Sequence, residues 1–165
     1  MDVLPNGNVG LQDPLNADAQ PVDLAEIIQS LEKRGIQTLV LLRVSNFLEH
    51  RIKAINEGFR FAIEQVGYGG EYRGVFPIKV NQQAHVVERI SRYGEIFDFG
   101  LEVGSKAELL IALSQCDNPQ SLIICNGFKD TEFIRLALLS KKLAMNTVIV
   151  LESVMELKLI IKVSR

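Results

Sequence analysis

Residues 73–81 read RGVFPIKVN, a short apolar run that ends in a lysine and an asparagine. An uninterrupted apolar run of this length indicates a strand that is buried on both faces. Beyond Asn81 the apolar residues recur at helical spacing, which indicates an amphipathic helix. The stretch therefore predicts one strand followed by one helix.

The same unit recurs on both sides of this stretch. Apolar runs of strand length lie at 38–44, 97–103, 121–125 and 147–151. An amphipathic helical pattern follows each run, and it begins at a residue type that caps helices; these residues are Ser45, Asn81, Ser105 with Glu108, Asp130, and Ser153 with Glu156. Strands that alternate with helices in this way predict an α/β protein with a parallel sheet covered by helices.

Two architectures fit this pattern, an open doubly wound sheet and a (β/α)8 barrel. The even rhythm favours the barrel, because no unit resembles an edge. We expect an incomplete (β/α)8 barrel of about five strand–helix units. The predicted domains are a peripheral lead with one helix at 1–37 and a truncated barrel domain at 38–165 that carries Lys79. The polar residues 1–21 predict a flexible or peripheral segment with one short strand.

Composition excludes several classes of function. The chain has 165 residues and a formal net charge of -2, without the basic stripe of a nucleic-acid-binding protein. No apolar stretch reaches the roughly 18 residues of a membrane span, and no secretory signal is visible; we expect a cytoplasmic protein. The two cysteines are expected to be free buried thiols, and no metal-ligand spacing is visible.

Polar residues follow the predicted strands at the end where barrel enzymes place their active sites. Such residues can also be simple strand ends or helix caps, but five at one mouth would form a site; they are Arg43, Lys79, Glu102, Asn126 and Glu152.

Lys79 is the most informative of these residues because it follows an apolar run without a charged neighbour. An isolated lysine of this kind usually extends its amine to water. The alternative is a desolvated amine, which favours the neutral form and can form a Schiff base with a carbonyl. The spacing alone leaves both interpretations open.

Three ordered segments, at 72–83, 100–109 and 122–130, resemble biosynthetic arginine decarboxylases. These enzymes belong to the alanine-racemase-type barrel class that uses pyridoxal 5'-phosphate. The resemblance implies that Lys79 forms the Schiff base with the cofactor and that Glu102 is an acidic residue near it. It further implies decarboxylation of arginine to agmatine and carbon dioxide, in polyamine and spermidine biosynthesis, by a homo-oligomer. It leaves open a requirement for Mg²⁺.

The chain departs from the family in length and at a few positions. Val44, Val103 and Ala84 replace an aromatic, a small residue and an arginine that are usual there. Family members are several times longer, so the phosphate site and the substrate contacts are expected to lie outside this chain, which we expect to be an inactive fragment on its own. Two alternatives stay open: a non-catalytic module that binds the cofactor or assembles with another chain, and another decarboxylase or racemase of the same class.

Overall fold

The computed structural model describes residues 1–37 and 39–165. These residues form two compact units, Met1–Arg51 and Ile52–Arg165. The seven strands of the described residues are β1 (Asp2–Val3), β2 (Val9–Leu11), β3 (Val22–Asp23), β4 (Val75–Pro77), β5 (Gly100–Val103), β6 (Leu122–Cys125) and β7 (Asn146–Ile149). The α-helices are α1 (Leu24–Lys33), α2 (Ser45–Val66), α3 (Ala84–Gly94), α4 (Lys106–Gln115), α5 (Thr131–Lys142) and α6 (Val154–Val163).

The first unit contains a small antiparallel sheet in the order β1-β2-β3, followed by α1. Asp23 joins the two, because its Oδ1 accepts a hydrogen bond from the Ala25 N–H at 2.8 Å and caps the helix. The side-chain amides of Asn8 and Asn6 donate to Asp23 Oδ2 at 2.8 and 2.9 Å and lower the pKa of this carboxyl group. The segment at 1–21 therefore holds more strands than the single one predicted. The domain boundary at 37/38 stays a prediction.

The first of the five predicted barrel strands, at 38–44, is wrong for its described residues. Residues 39–44 lie in neither a helix nor a strand, and Leu39 and Leu41 are exposed; Thr38 lies outside the described residues. A strand needs a neighbouring strand for its backbone N–H and C=O groups. The described sheet has β4 at its edge, and β4 pairs with β5. An apolar run alone cannot show whether its backbone pairs with a neighbouring strand.

The second unit contains a parallel sheet of four strands in the order β4-β5-β6-β7. Consecutive helices contact each other along α3, α4, α5 and α6, so they cover the same face of the sheet. A doubly wound sheet would instead reverse its strand order and place helices on both faces. The predicted α/β class and incomplete barrel are confirmed, with four described parallel strands in place of five.

Most helix starts agree with the predicted caps. Ser105, Asp130 and Ser153 each accept a hydrogen bond from the backbone of the first turn of their helix. Two predicted caps differ: Ser45 is itself the first residue of α2, and Asn81 does not open α3, which begins at Ala84. Asn81 has an extended backbone with φ of -156°, and its side chain accepts from the Gln83 N–H at 3.1 Å. It therefore shapes the turn before the helix.

The two faces of the parallel sheet differ. One face packs Leu101, Val103, Ile123 and Cys125, all buried, against the helices. Alternate residues point to the other face. Register pairs Glu102 with the strand residues on either side of it, and the resulting row across the sheet is Pro77, Glu102, Ile124 and Val148. This open-face row corresponds to the interior of a closed barrel.

Candidate active site

Lys79 lies directly beyond the carboxyl end of β4. The strand ends at Pro77, and Ile78–Val80 form one turn of 3-10 helix. Ile78 is fully buried in the core, which fixes the turn. The Lys79 side chain is 60% exposed, in agreement with the interpretation that its amine extends to water.

Glu102 lies on the next strand and faces Lys79. Its neighbours Leu101 and Val103 point into the core, so the alternation of the strand turns Glu102 to the open face. The residue is only 8% exposed. Lys79 Nζ lies 3.3 Å from Glu102 Oε1, where the two groups form an ion pair and a hydrogen bond. The fold thus brings together the two residues that were predicted to form the site.

Asn126 is the third predicted residue at this place. It follows β6 directly and donates from Nδ2 to Glu102 Oε1 at 3.2 Å. Its Oδ1 accepts a hydrogen bond from the Gly127 N–H at 2.9 Å. Glu102 Oε1 therefore receives two donors, one from the loop after each neighbouring strand.

The second carboxylate oxygen of Glu102 has a different environment. Oε2 is buried and lacks a hydrogen-bond partner among the described residues. A buried acceptor without a donor is unfavourable by about 1–3 kcal/mol. Such an acceptor next to an amine marks a place where a bound group with a hydrogen-bond donor would be stabilised.

Of the other two predicted residues, one does not follow a strand and the other contacts the start of the next helix. Arg43 lies in the first compact unit, in a segment that forms no strand, so it does not end a strand as predicted. Glu152 follows β7 and is exposed. Its backbone N–H donates to Glu156 Oε2 at 2.8 Å, an interaction at the start of α6. The cluster of Lys79, Glu102 and Asn126 is hereafter the Lys–Glu–Asn cluster.

Glu108 supports the site, although its sequence context predicted only a helix cap. Its buried carboxylate accepts from the Gly104 N–H at 2.6 Å and from Gln82 Nε2 at 2.9 Å. The loop after Lys79 and the loop after Glu102 are therefore tied to the same side chain. The spacing of the capping box marked Glu108, but its contact with Gln82 depends on the tertiary fold.

Lys129 is a buried cation that the sequence did not reveal. Its side chain is 0% exposed, and Nζ donates to the Gly127 carbonyl at 2.6 Å and lies 3.4 Å from the Glu156 carboxylate. The Glu152 N–H is the main cause that lowers the pKa of Glu156, and Lys129 adds to it. Lys129 thus ties the loop after β6 to the start of α6.

An exposed ion-pair group lies at the starts of α4 and α5. Lys106 Nζ contacts Asp130 Oδ2 and Glu132 Oε2, each at 2.8 Å. These contacts raise the pKa of Lys106, and the Lys106 ammonium lowers the pKa of Asp130. Because all three side chains are substantially exposed, the network adds little to stability.

The described residues lack both a group of metal-ligand side chains and a helix fit to cross a membrane. Within residues 1–37 and 39–165, no three or more His, Cys, Asp or Glu side chains are grouped so that they could hold a metal ion. The helices of this same part of the chain are too short or too polar to cross a membrane.

Comparison with known proteins identifies the family of this chain. Residues 48–165 match the family described as pyridoxal-dependent decarboxylase, pyridoxal binding domain. A biosynthetic arginine decarboxylase of Synechococcus sp. (strain RCC307) is 48% identical over 144 residues, which cover 87% of this chain and 22% of the relative. Arginine decarboxylase 1 of Oryza sativa subsp. japonica is 45% identical over 155 residues, with 88% and 22% covered.

A solved structure agrees with these relatives. The crystal structure of a biosynthetic arginine decarboxylase from Campylobacter jejuni matches with a TM-score of 0.82 and 33% identity, over 86% of this chain and 24% of that one. The chain therefore spans less than a quarter of the length of these relatives. By the match over residues 48–165, the chain belongs to the pyridoxal-dependent decarboxylases, within their pyridoxal binding domain.

Proposed function

We propose that this chain is the cofactor-holding part of an arginine decarboxylase and that Lys79 binds pyridoxal 5'-phosphate. The observation that carries the proposal is the contact between an exposed lysine amine and a buried carboxylate, 3.3 Å apart, at the carboxyl end of a parallel sheet. Active sites of (β/α) barrels lie at this end. Membership of a pyridoxal-binding family supports the assignment of this lysine.

The residues at this place fit the cofactor. Lys79 Nζ would hold its carbonyl carbon covalently, and the exposed position of the amine leaves it accessible. Glu102 would lie beside the bound group as the acidic residue. Its buried Oε2, which lacks a donor among the described residues, is an acceptor that such a group can satisfy.

Residues of this chain would orient the Lys79 amine and exchange protons with it. When bound, pyridoxal 5'-phosphate supplies an electron sink for the electron pair left as an amino acid loses carbon dioxide. The Lys79 ammonium must give up one proton, which frees the Nζ lone pair, before this nitrogen can bond to a carbonyl carbon. Glu102 Oε1 already accepts a hydrogen bond from this nitrogen and is placed to orient it and to exchange a proton with it.

Substrate and assembly are proposed for the whole protein. The names of the relatives support L-arginine as the substrate and decarboxylation as the reaction, for which the products are agmatine and carbon dioxide. The family resemblance supports a role in polyamine biosynthesis. We further propose a homo-oligomer in the cytoplasm, as the family resemblance implies. A requirement for Mg²⁺ stays a prediction from that resemblance.

For the 165-residue chain alone we expect cofactor attachment without turnover. Lys79 is 60% exposed, so water is not excluded from its amine as closed active sites require. Carbon dioxide release from arginine by the purified chain, measured with radiolabelled substrate, would contradict this expectation.

The first test is an absorbance spectrum of the purified chain with added pyridoxal 5'-phosphate, before and after borohydride reduction. We expect a band near ~420 nm that borohydride fixes, and a labelled Lys79 peptide in mass spectrometry. Lys79→Ala should abolish both. Lys106→Ala is the matched control, since it removes another lysine that is paired with carboxylates at the surface; it should leave the Lys79 label unchanged. Equal label in Lys79→Ala and wild type would reject the proposal.

A further inference from the structure

We propose that Asn126 is a positioning residue that fixes the Glu102 carboxylate, so that Oε1 faces Lys79 and Oε2 stays open for the bound group. This inference deepens the proposed function and rests on it. It assigns a role to a residue that acts on Lys79 through its hydrogen bond to Glu102 Oε1. The role is to hold one torsion angle of the Glu102 side chain.

The orientation of the Asn126 amide follows from its two hydrogen bonds. Nδ2 donates to Glu102 Oε1 at 3.2 Å, and Oδ1 accepts from the Gly127 N–H at 2.9 Å. If the amide oxygen and nitrogen of Asn126 exchanged places, Nδ2 would face the Gly127 N–H, and Oδ1 would face Glu102 Oε1. Two donors would then meet at Gly127 and two acceptors at Glu102. Only one orientation satisfies both neighbours. Asn126 therefore presents a donor, and not an acceptor, to Glu102.

The backbone that carries Asn126 is held from several sides. The Asn126 N–H donates to the Val103 carbonyl at 2.8 Å. Gly127 has a φ of +105°, and a Cβ at this position would lie 2.8 Å from the Gly104 carbonyl oxygen. The Gly127 carbonyl accepts from the buried Lys129 at 2.6 Å. The loop after β6 is thus fixed against the loop after β5, and the Asn126 amide is fixed with it.

The fixed Asn126 amide determines which carboxylate oxygen of Glu102 faces Lys79. Lys79 and Asn126 both donate to Oε1, so Oε1 is the oxygen of Glu102 that is favoured in the ion pair with Lys79. Without Asn126, the carboxylate would keep a single contact of 3.3 Å, to a lysine that is 60% exposed. It could then rotate, turn Oε2 to the lysine, and leave Nζ unoriented. Loss of Asn126 should therefore slow covalent attachment at Lys79 more than it weakens folding.

The test measures the rate at which pyridoxal 5'-phosphate becomes fixed to Lys79, by borohydride quenching at timed intervals and quantification of the Lys79 peptide. We expect Asn126→Ala to lower this rate by about tenfold, the effect of losing one hydrogen bond to a charged group. Asn126→Asp should lower it further, because the variant sets a second negative charge against Glu102. A residue that merely fills space would give the opposite order, since aspartate has nearly the same shape as asparagine.

Asn118 offers a matched control at the other end of the sheet. Its Nδ2 donates to the Asp98 Oδ1 at 2.8 Å, so Asn118→Ala and Asn118→Asp remove a bond of the same kind. Both should leave the rate at Lys79 within about twofold of wild type, although they cost comparable stability. Adding Asn126→Ala to Glu102→Gln should cause little further loss, because the partner of the amide has already changed.

A measurement without cofactor checks the contact itself. Glu102→Gln should shift the side-chain amide NMR resonances of Asn126 and leave those of Asn118 in place. Attachment in wild type together with an equal rate in Asn126→Asp, or an unshifted Asn126 amide, would overturn this inference alone. Lack of attachment at Lys79 in wild type would overturn the proposed function, and this inference with it.

Discussion

Cys125 shows how the environment of one residue couples to the stability of the chain. The residue ends β6 and is fully buried in the core. Burial raises the pKa of its thiol from the ordinary 9.0 to about 11, and the nearby Lys129 opposes the shift only in part. The neutral thiol is therefore the form that the folded chain favours.

This shift predicts a loss of stability in alkaline solution. Because the folded chain raises the pKa of the Cys125 thiol, the neutral thiol contributes fully to the free energy of unfolding below pH 9. This contribution is lost as the pH rises towards 11. Two pKa units correspond to about 2–3 kcal/mol in the free energy of unfolding. Urea denaturation at pH 8 and pH 10.5 should show a larger decrease for wild type than for Cys125→Ala. Equal decreases would contradict the prediction; comparing each variant with itself removes the effect of the small cavity that alanine leaves.

At the same scale, single residues of the site were only partly predictable. Lys79, Glu102 and Asn126 were found because each follows or ends an apolar run, and the ends of parallel strands meet. The same rule failed at Arg43, where the run before it forms no strand in its described part. Lys129 was missed because its burial depends on a partner 27 residues away, and no local pattern reports such a contact.

At the scale of secondary-structure elements, the starts of helices were predicted better than the pairing of strands. The caps at Ser105, Asp130 and Ser153 lie where the sequence predicted them, because a cap depends on residues two or three positions away. The strand at 38–44 was predicted wrongly for its described residues 39–44, because strand pairing depends on distant segments. The 3-10 turn at Ile78–Val80 was also missed, since an apolar run cannot distinguish a strand from a buried turn that continues it.

The tie between the loop after β6 and helix α6 predicts unequal effects of two lysine substitutions. Lys129→Met removes a fully buried cation and leaves the Glu156 carboxylate and the Gly127 carbonyl without that donor. We expect it to lower the free energy of unfolding by about 2–4 kcal/mol. Lys106→Met removes a cation that is 42% exposed and should cost only a small fraction of that amount.

Chemical denaturation of both variants beside wild type measures this difference. The comparison is matched, because each lysine contacts at least one carboxylate at the start of a later helix and each is replaced by the same side chain. Similar decreases in the free energy of unfolding of the two variants would show that the burial of Lys129 does not increase its contribution to stability. A larger loss for Lys106→Met would contradict the role assigned to the buried pair.

At the scale of the whole molecule, the α/β class and the incomplete barrel followed from the alternation of strands and helices. The small sheet of the first unit was not predicted beyond one strand, because its strands of two or three residues are too short to show a period. The division into Met1–Arg51 and Ile52–Arg165 reflects contacts in space. Such contacts are not visible as a change in composition along the chain.

The exposed segment before α2 predicts where a protease first cuts the folded chain. Residues 39–44 form neither helix nor strand, and Leu39 and Leu41 are exposed. Limited trypsin digestion should therefore cleave first after Arg34 or Arg43, and later after Arg51 within α2. Mass spectrometry of the early fragments identifies the cut. A first cut within α2 or between β4 and α6 would contradict this ranking.

The open-face row of Pro77, Glu102, Ile124 and Val148 carries a further consequence for selection. On either side of Glu102 it offers a side chain that cannot donate a hydrogen bond, and Oε2 is left without a partner among the described residues. A serine or threonine in place of either neighbour would bring a hydrogen-bond donor to this part of the row, which would reduce the cost of the unpaired oxygen. It would also occupy the acceptor that we propose is open for the bound group. Glu102 is therefore a point of trade-off, at which selection for stability and selection for reactivity favour different neighbours.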